Sequence, residues 1–359
     1  MKRIYNFSAG PATLPLETLQ EAQEGLLDYQ GSGMSIMEMS HRGKHYDAVH
    51  QEALSNFREL LSVPDTHEII FMQGGATSQF SFVPMNLLGQ GETADYINSG
   101  AWAKKAIEEA KFFGKVNVAA NFGKEIPTRQ AYADELQLTP GAAYLHCTSN
   151  ETISGAQIKA FPESDAPLVS DMSSDILSRA LDVSKFGLIY AGAQKNLGPS
   201  GVTLVILRKD LAEKVADTVP MMFRYQTHIE NQSLYNTPPT FGIYILCLVT
   251  RWLKKQGGVA AMEALNNRKS AKLYAAIDES EFYRGTALPE FRSTMNVTWR
   301  LPSEELEAQF IKEAKALEMD GLKGHRSVGG IRASIYNAFP EAGVDALIAF
   351  MKDFEAKNG

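Results

Sequence analysis

The chain has 359 residues, enough for a large domain and a smaller one around a substantial core. Hydrophobic residues make up 44% and charged residues 21%, the balance of a soluble globular protein. The formal net charge of −7 argues against a general binder of nucleic acid or anionic membrane, although it leaves room for a local anion site.

Taken in chain order, a short arm precedes two amphipathic helices expected over 17–29 and 46–61. Strand-like apolar runs then appear at 68–72, 93–98, 115–120, 142–147, 167–171, 188–191 and 202–208, with helical patterns between several of them, as at 77–88 and 103–113. Short continuous apolar strands alternating with helices predict a mostly parallel sheet covered on both faces, an α/β domain. The last third changes character. A helix over 240–256 stops at Gly257-Gly258 and another covers 259–277; strands at 295–300 and 330–334 flank a helix at 303–317, and a final helix occupies 343–356. That order suits a smaller α+β unit. The expected division is 16–257 for the large domain, with 1–15 and 258–359 forming the small one. The longest apolar run, 241–253, is broken by Thr250 and Arg251 and is too short to span a bilayer. The opening residues lack the apolar core of a secretory signal, so a cytoplasmic protein without a membrane association is expected. Cys147 and Cys247 show no metal or redox spacing, so neither a disulfide framework nor a metal site is expected.

Four features carry chemistry. In AGAQKNLGPSG, residues 191–201, Lys195 follows an apolar strand at the mouth of the expected sheet, where open α/β folds bind ligands. A lysine held there sheds its proton more easily than one in water and can attack a carbonyl carbon; most lysines in polar turns are merely solvated. In PLVSDMSS, residues 167–174, Asp171 ends a neighbouring strand, where a carboxylate can either cap a turn or keep a pyridine nitrogen protonated. In GGATSQ, residues 74–79, small residues precede a helix whose N-terminal amides suit a phosphate; the pattern is neither a dinucleotide fingerprint nor a P-loop. Trp102 opens a helix after a strand and can stack on an aromatic cofactor or simply pack in the core.

These stretches, together with NFSAGPATLP, SIMEMSHRG, FMQGGATSQF, SGAWAKKA, NETISG, YNTPPT and GHRSVGGIRASIYNA in the same order, resemble the fold-type-I pyridoxal-phosphate enzymes of the class V aminotransferases, and within them the phosphoserine aminotransferase family. The resemblance covers essentially the whole chain. It implies a large domain with a mostly parallel seven-stranded sheet and a smaller α+β C-terminal domain. It implies pyridoxal 5'-phosphate held by Lys195 as a Schiff base, Asp171 on the pyridine nitrogen and Trp102 stacked on the ring. Ala76, Thr77, Thr152 and Gln194 would contact the cofactor or its phosphate, and Asn236 and Thr237 would reach the cofactor phosphate of a neighbouring subunit in a homodimer with shared active sites. His41, Arg42, His325, Arg326 and Arg332 would bind substrate.

Arginine matches carboxylate and phosphate with a planar fork and stays charged when partly buried. Arg332 is assigned to an α-carboxylate, and the pairs His41-Arg42 and His325-Arg326 to a distal anion. The family implies L-glutamate as amino donor and 3-phosphohydroxypyruvate as acceptor, giving O-phosphoserine in serine biosynthesis, with the phosphohydroxythreonine pair of pyridoxine biosynthesis as a further substrate. Three other readings fit less well. A cysteine desulfurase needs an exposed nucleophilic thiol, whereas both cysteines lie in apolar runs. A serine–glyoxylate transaminase does not need so many cations. A nucleotide-binding regulator leaves Asp171 and Lys195 unexplained.

Overall fold

A computed structural model describes residues 3–123 and 125–359, so Met1 and Lys2 of the expected small domain, and Lys124, lie outside the described residues. In chain order the elements are β1 (Tyr5–Asn6), α1 (Leu16–Leu27), α2 (Lys44–Leu60), β2 (His67–Gly74), α3 (Ala76–Leu87), β3 (Thr93–Asn98), α4 (Ala101–Ala110), β4 (Lys115–Asn121) and β5 (Leu145–Thr148). The hairpin β6 (Asn150–Glu151) and β7 (Ala156–Gln157) follows, then β8 (Leu168–Asp171), β9 (Leu188–Gly192) and β10 (Gly201–Arg208). The remainder comprises α5 (Lys209–Ala212), α6 (Tyr225–Glu230), α7 (Thr240–Lys255), α8 (Gly258–Asp278), β11 (Arg284–Gly285), β12 (Asn296–Arg300), α9 (Glu304–Ala316), β13 (Met319–Asp320), β14 (Ile331–Ser334) and α10 (Glu341–Asn358).

Seven strands form the central sheet in the order β2-β10-β9-β8-β5-β3-β4. The neighbours from β9 through β8, β5 and β3 to β4 are parallel, and only β10 runs against its neighbours β9 and β2. The reversal follows from the chain: the link from Gly192 to Gly201 is too short for a crossover, so β9 and β10 must pair antiparallel. β8 and β9 are buried along their whole length, which is why they read as unbroken apolar runs. One apolar cluster lies on the face covered by α2 and α7, containing Phe57, Phe71, Leu204 and Leu246; a second lies on the other face, containing Phe80, Tyr96, Ile107 and Tyr190.

The last third builds an antiparallel sheet β11-β12-β14, with α9 and α10 contributing Phe310, Leu347 and Phe354 to a third cluster around Trp299. Phe7 of the N-terminal arm belongs to this cluster, and β1 pairs in parallel with β13. Gly257, at φ 96°, turns the chain between α7 and α8. Several sequence expectations shift at their ends, two of them for clear reasons. The first helix stops at Leu27 because Asp28 is extended and Gln30 left-handed, and the strand expected from 142 begins at Leu145 after the Gly141 turn. Among the described residues, no helix is long and apolar enough to cross a membrane.

Candidate active site

Because β8 and β9 are adjacent and parallel, their C-terminal ends open on the same edge of the sheet. Asp171 is the last residue of β8, and Lys195 lies in the turn that follows β9. β2 ends at that edge too, since it and β9 both oppose β10, and this brings Gly75 and the start of α3 alongside. The closeness is measurable at Gly192: a Cβ there would stand 3.2 Å from the Ala76 amide nitrogen and 3.0 Å from Gln194 Oε1. Any larger residue would fill the space at the helix start.

Lys195 Nζ donates to Thr152 Oγ1 at 2.7 Å and sits 5.7 Å from the centroid of the Trp102 ring. Desolvation pushes its pKa down to about 8, against the pull of Asp171 and Glu151; Arg332 adds to the depression. The arm closes over the lysine stem. Gly10, at φ 138°, lies so near that a Cβ would stand 3.3 Å from Lys195 Cγ, and Ala12 N–H donates to the Gln194 carbonyl at 2.9 Å. Asp171 is 6% exposed, and burial raises its carboxyl pKa. The rise is opposed by two donations into Oδ1, from the Ser173 amide at 2.9 Å and hydroxyl at 2.6 Å, and by the Lys195 charge. Ser173 in turn accepts from Gly192 N–H at 3.0 Å, which ties the end of β8 to that of β9.

Trp102, in the first turn of α4, is half-buried, and its Nε1 is enclosed without a hydrogen-bond partner. Lys105, one turn on, stands 4.5 Å over the same ring. Arg332 on β14 donates to the Thr152 carbonyl at 3.3 Å, while its Nε is buried and unpaired. His325 lies within the fields of Arg332, Arg326 and Lys105; desolvation first and those charges next hold its pKa below the ordinary value, and Ser327 Oγ is 2.7 Å from its Nδ1. Arg326 is exposed on the same loop.

The fold therefore gathers Ala76, Thr152, Asp171, Gln194 and Lys195, with Trp102, His325, Arg326 and Arg332 around them. Thr77 occupies the first turn of α3. Asn236 is half-buried and Thr237 exposed on a loop fastened to the end of β2, where Gln73 Nε2 donates to the Thr237 carbonyl at 2.9 Å. His41 and Arg42 form the turn before α2. Arg42 is exposed, His41 Nε2 is buried without a partner, and among the described residues neither hydrogen-bonds to Lys195, His325, Arg326 or Arg332. Sequence reasoning missed Glu151, Ser173 and Lys105. The first two act through hydrogen bonds that no spacing announces, and the third was readable only as one of two lysines following Trp102. Cys147 and Cys247 are buried, and desolvation pushes both thiols up to about 12, which removes them as nucleophiles.

These residues fit pyridoxal phosphate. A primary amine of lowered pKa stands between a carboxylate and an indole ring whose N–H lacks a partner, and the missing side chain at Gly192 leaves the first amide of α3 uncovered, which suits an anion. Comparison with known proteins agrees. The family profile described as aminotransferase class-V matches residues 4–347. The chain is 55% identical over 361 residues to the phosphoserine aminotransferase of Desulfosudis oleivorans, covering 100% of this chain and 99% of that one. It superposes on the phosphoserine aminotransferase from Bacillus circulans subsp. alkalophilus with a TM-score of 0.96, at 52% identity and 100% of both chains. A pyridoxal-phosphate-bound phosphoserine aminotransferase from Trichomonas vaginalis gives a TM-score of 0.94 at 42% identity, covering 98% of this chain and 100% of that one.

Proposed function

The chain belongs to the class-V aminotransferase family, and from that premise we propose that it moves an amino group between L-glutamate and 3-phosphohydroxypyruvate, giving O-phospho-L-serine and 2-oxoglutarate. The observation that carries this reading is the meeting of Lys195 and Asp171, at one edge of the central sheet, with Thr152 and with Arg332 of the C-terminal sheet. Bound pyridoxal phosphate supplies a protonated pyridine ring that spreads the electron pair left when the substrate Cα–H bond breaks.

The protein's part is positioning and proton transfer. Lys195 holds the cofactor, and its amine, with a pKa of about 8, is matched to taking and returning the Cα proton near neutrality. Thr152 Oγ1 fixes where that amine stands. Ser173 donates twice to Asp171 Oδ1, and Asp171 would pair through its other oxygen with the pyridine nitrogen of a bound cofactor. Ala76, Thr77 and Gln194 would contact the cofactor and its phosphate at the start of α3, and Trp102 would stack on the ring. Arg332 takes the substrate α-carboxylate; its buried, unpaired Nε supports that role. His325 and Arg326 take the distal anion, a carboxylate in one half-reaction and a phosphate in the other. The same cations suit the phosphohydroxythreonine pair of pyridoxine biosynthesis.

The remaining residues come from a second copy in a homodimer with shared sites: Asn236 and Thr237 for the cofactor phosphate, His41 and Arg42 for substrate. Exposed apolar side chains beside both segments support this, namely Leu27, Met34 and Met37 near the first and Met221, Phe223 and Tyr235 near the second. Residues 16–257 act as the cofactor domain, and 1–15 with 258–359 as the small domain carrying Arg332. The reaction takes place in the cytoplasm. A coupled assay tests the function: purified protein with pyridoxal phosphate, glutamate and 3-phosphohydroxypyruvate is expected to release 2-oxoglutarate and phosphoserine in equal amounts. Protein that binds the cofactor but makes neither product contradicts the substrate assignment.

A further inference from the structure

Glu151 is a fully buried carboxylate at the site to which the reaction as derived gives no task. It belongs to β6, beside Thr152, and its side chain reaches the start of α4. Oε1 accepts from Ser99 Oγ at 3.2 Å and from Ala103 N–H at 3.2 Å; Oε2 lies 3.5 Å from Trp102 N–H. These are first-turn amides, which have no partner within their own helix, and a carboxylate there also meets the positive end of the helix dipole. The fit is close. A Cβ on Gly100 would fall 2.5 Å from Glu151 Cδ, so a larger residue at that point would have to displace the carboxylate.

We propose that Glu151 is a positioning residue for transamination: its carboxylate locks the first turn of α4, and with it the plane of the Trp102 ring, to the same hairpin whose next residue, Thr152, holds Lys195 Nζ. Two adjacent residues thereby fix the cofactor's aromatic wall and its amine relative to one another. Glu151 also contributes negative charge beside Lys195, together with Asp171 and Asp175 and against Arg332. Burial raises its own carboxyl pKa to about 7, opposed by the amides of Ala103 and Trp102 and by Ser99. A carboxylate kept at this depth stays only because those donors face it.

The inference rests on Lys195 as the cofactor lysine. If that reading is wrong, wild-type holoenzyme reduced with borohydride carries its label elsewhere; if only the role of Glu151 is wrong, the label stays on Lys195. The test compares wild-type, Glu151→Gln and Ser99→Ala holoenzymes. Glu151→Gln keeps the volume, removes the charge and turns one acceptor into a donor facing amides. The expected result is a fall in kcat of about tenfold or more, the scale on which misplaced reacting groups lose rate, with KM for glutamate changed little. The visible circular dichroism of the bound cofactor falls, and the pH midpoint of its visible absorbance moves to lower pH. Ser99→Ala, which deletes one hydrogen bond, moves the dichroism in the same direction by less. A merely structural cap would lower the unfolding temperature and leave dichroism, pH midpoint and kcat of the folded holoenzymes at wild-type values; that outcome overturns the proposal. Should Glu151→Gln fail to fold, unchanged dichroism and kcat in Ser99→Ala overturn it as well.

Discussion

At the scale of single residues, burial alone does not pick out a reactive group. Lys269 is fully buried, and desolvation takes its pKa to about 7, lower than that of Lys195. Its Nζ nevertheless donates to three backbone carbonyls, those of Ile335, Tyr336 and Phe339, at 3.0, 2.8 and 3.1 Å. Every proton of an ammonium is engaged there by backbone carbonyls. Lys195 Nζ donates to a hydroxyl, that of Thr152, and lies near Asp171 and Trp102. His146 shows the same physics in stability. Burial drives its imidazole down to about 3 from an ordinary 6.5, and Nε2 rests 2.9 Å from Tyr190 Oη. Between those values the unfolded chain binds a proton that the folded one refuses. The stabilising contribution is complete above pH 6.5 and is lost as pH falls, by up to about 1.4 kcal/mol per pH unit. Replacing His146 with Gln, which can keep the bond to Tyr190, is expected to flatten the decline in urea-unfolding free energy of the apoprotein between pH 6 and 5. Equal slopes in the two proteins contradict this account.

Among elements, the sheet edge does the assembling, and most of it was legible in advance. β3 was placed to the residue, and β2, β4, β8, β9 and β10 within two, because buried parallel strands leave apolar runs bounded by turns. The hairpin β6–β7 and the pair β1–β13 were not legible: two-residue strands carry no periodicity, and only tertiary pairing defines them. That gap matters, since β6 supplies Glu151 and leads into Thr152. The resemblance found Thr152 through NETISG, but nothing in the motif says that its glutamate turns back onto α4. The turn after β9 makes a sharper demand. Gly192→Ala puts a methyl against the Ala76 amide and Gln194, so the cradle must open by several tenths of an ångström. Cofactor affinity is expected to weaken about tenfold, read by equilibrium dialysis of pyridoxal phosphate, with little change in apoprotein melting temperature. Wild-type affinity would mean that the phosphate does not sit at the start of α3.

Over the whole molecule, the cofactor turn and the C-terminal sheet are joined by buried amides. Asn337 N–H donates to Asn196 Oδ1 at 3.0 Å, and Asn266 Nδ2 donates to Asn337 Oδ1 at 2.8 Å, so the residue after Lys195 is tied to the segment that follows β14 and Arg332. The arm adds another tie, with Tyr336 Oη donating to the Ala9 carbonyl at 2.8 Å above the Lys195 stem. Such fixed struts hold Arg332, proposed above for the α-carboxylate, at a set distance from the Lys195 amine. Among the described residues, His41 and Arg42 make no hydrogen bond to this constellation, and their role had to come from resemblance, because a sequence does not say which copy donates a side chain. Mixing tests the shared site: Lys195→Ala and Thr237→Ala are each expected to be impaired, and the two unfolded, mixed and refolded together should regain activity as hybrid dimers. No recovery, with hybrids present by mass, would put both residues in the site of their own chain.

The most direct measurement is chemical. Holoenzyme reduced with borohydride, digested and sequenced by mass spectrometry is predicted to carry the pyridoxyl group on Lys195 alone, and a parallel sample given glutamate first, which moves the cofactor off the lysine, is predicted to lose that label. Label on Lys269, or on Lys195 but insensitive to glutamate, would contradict the account of this edge as the site of transamination.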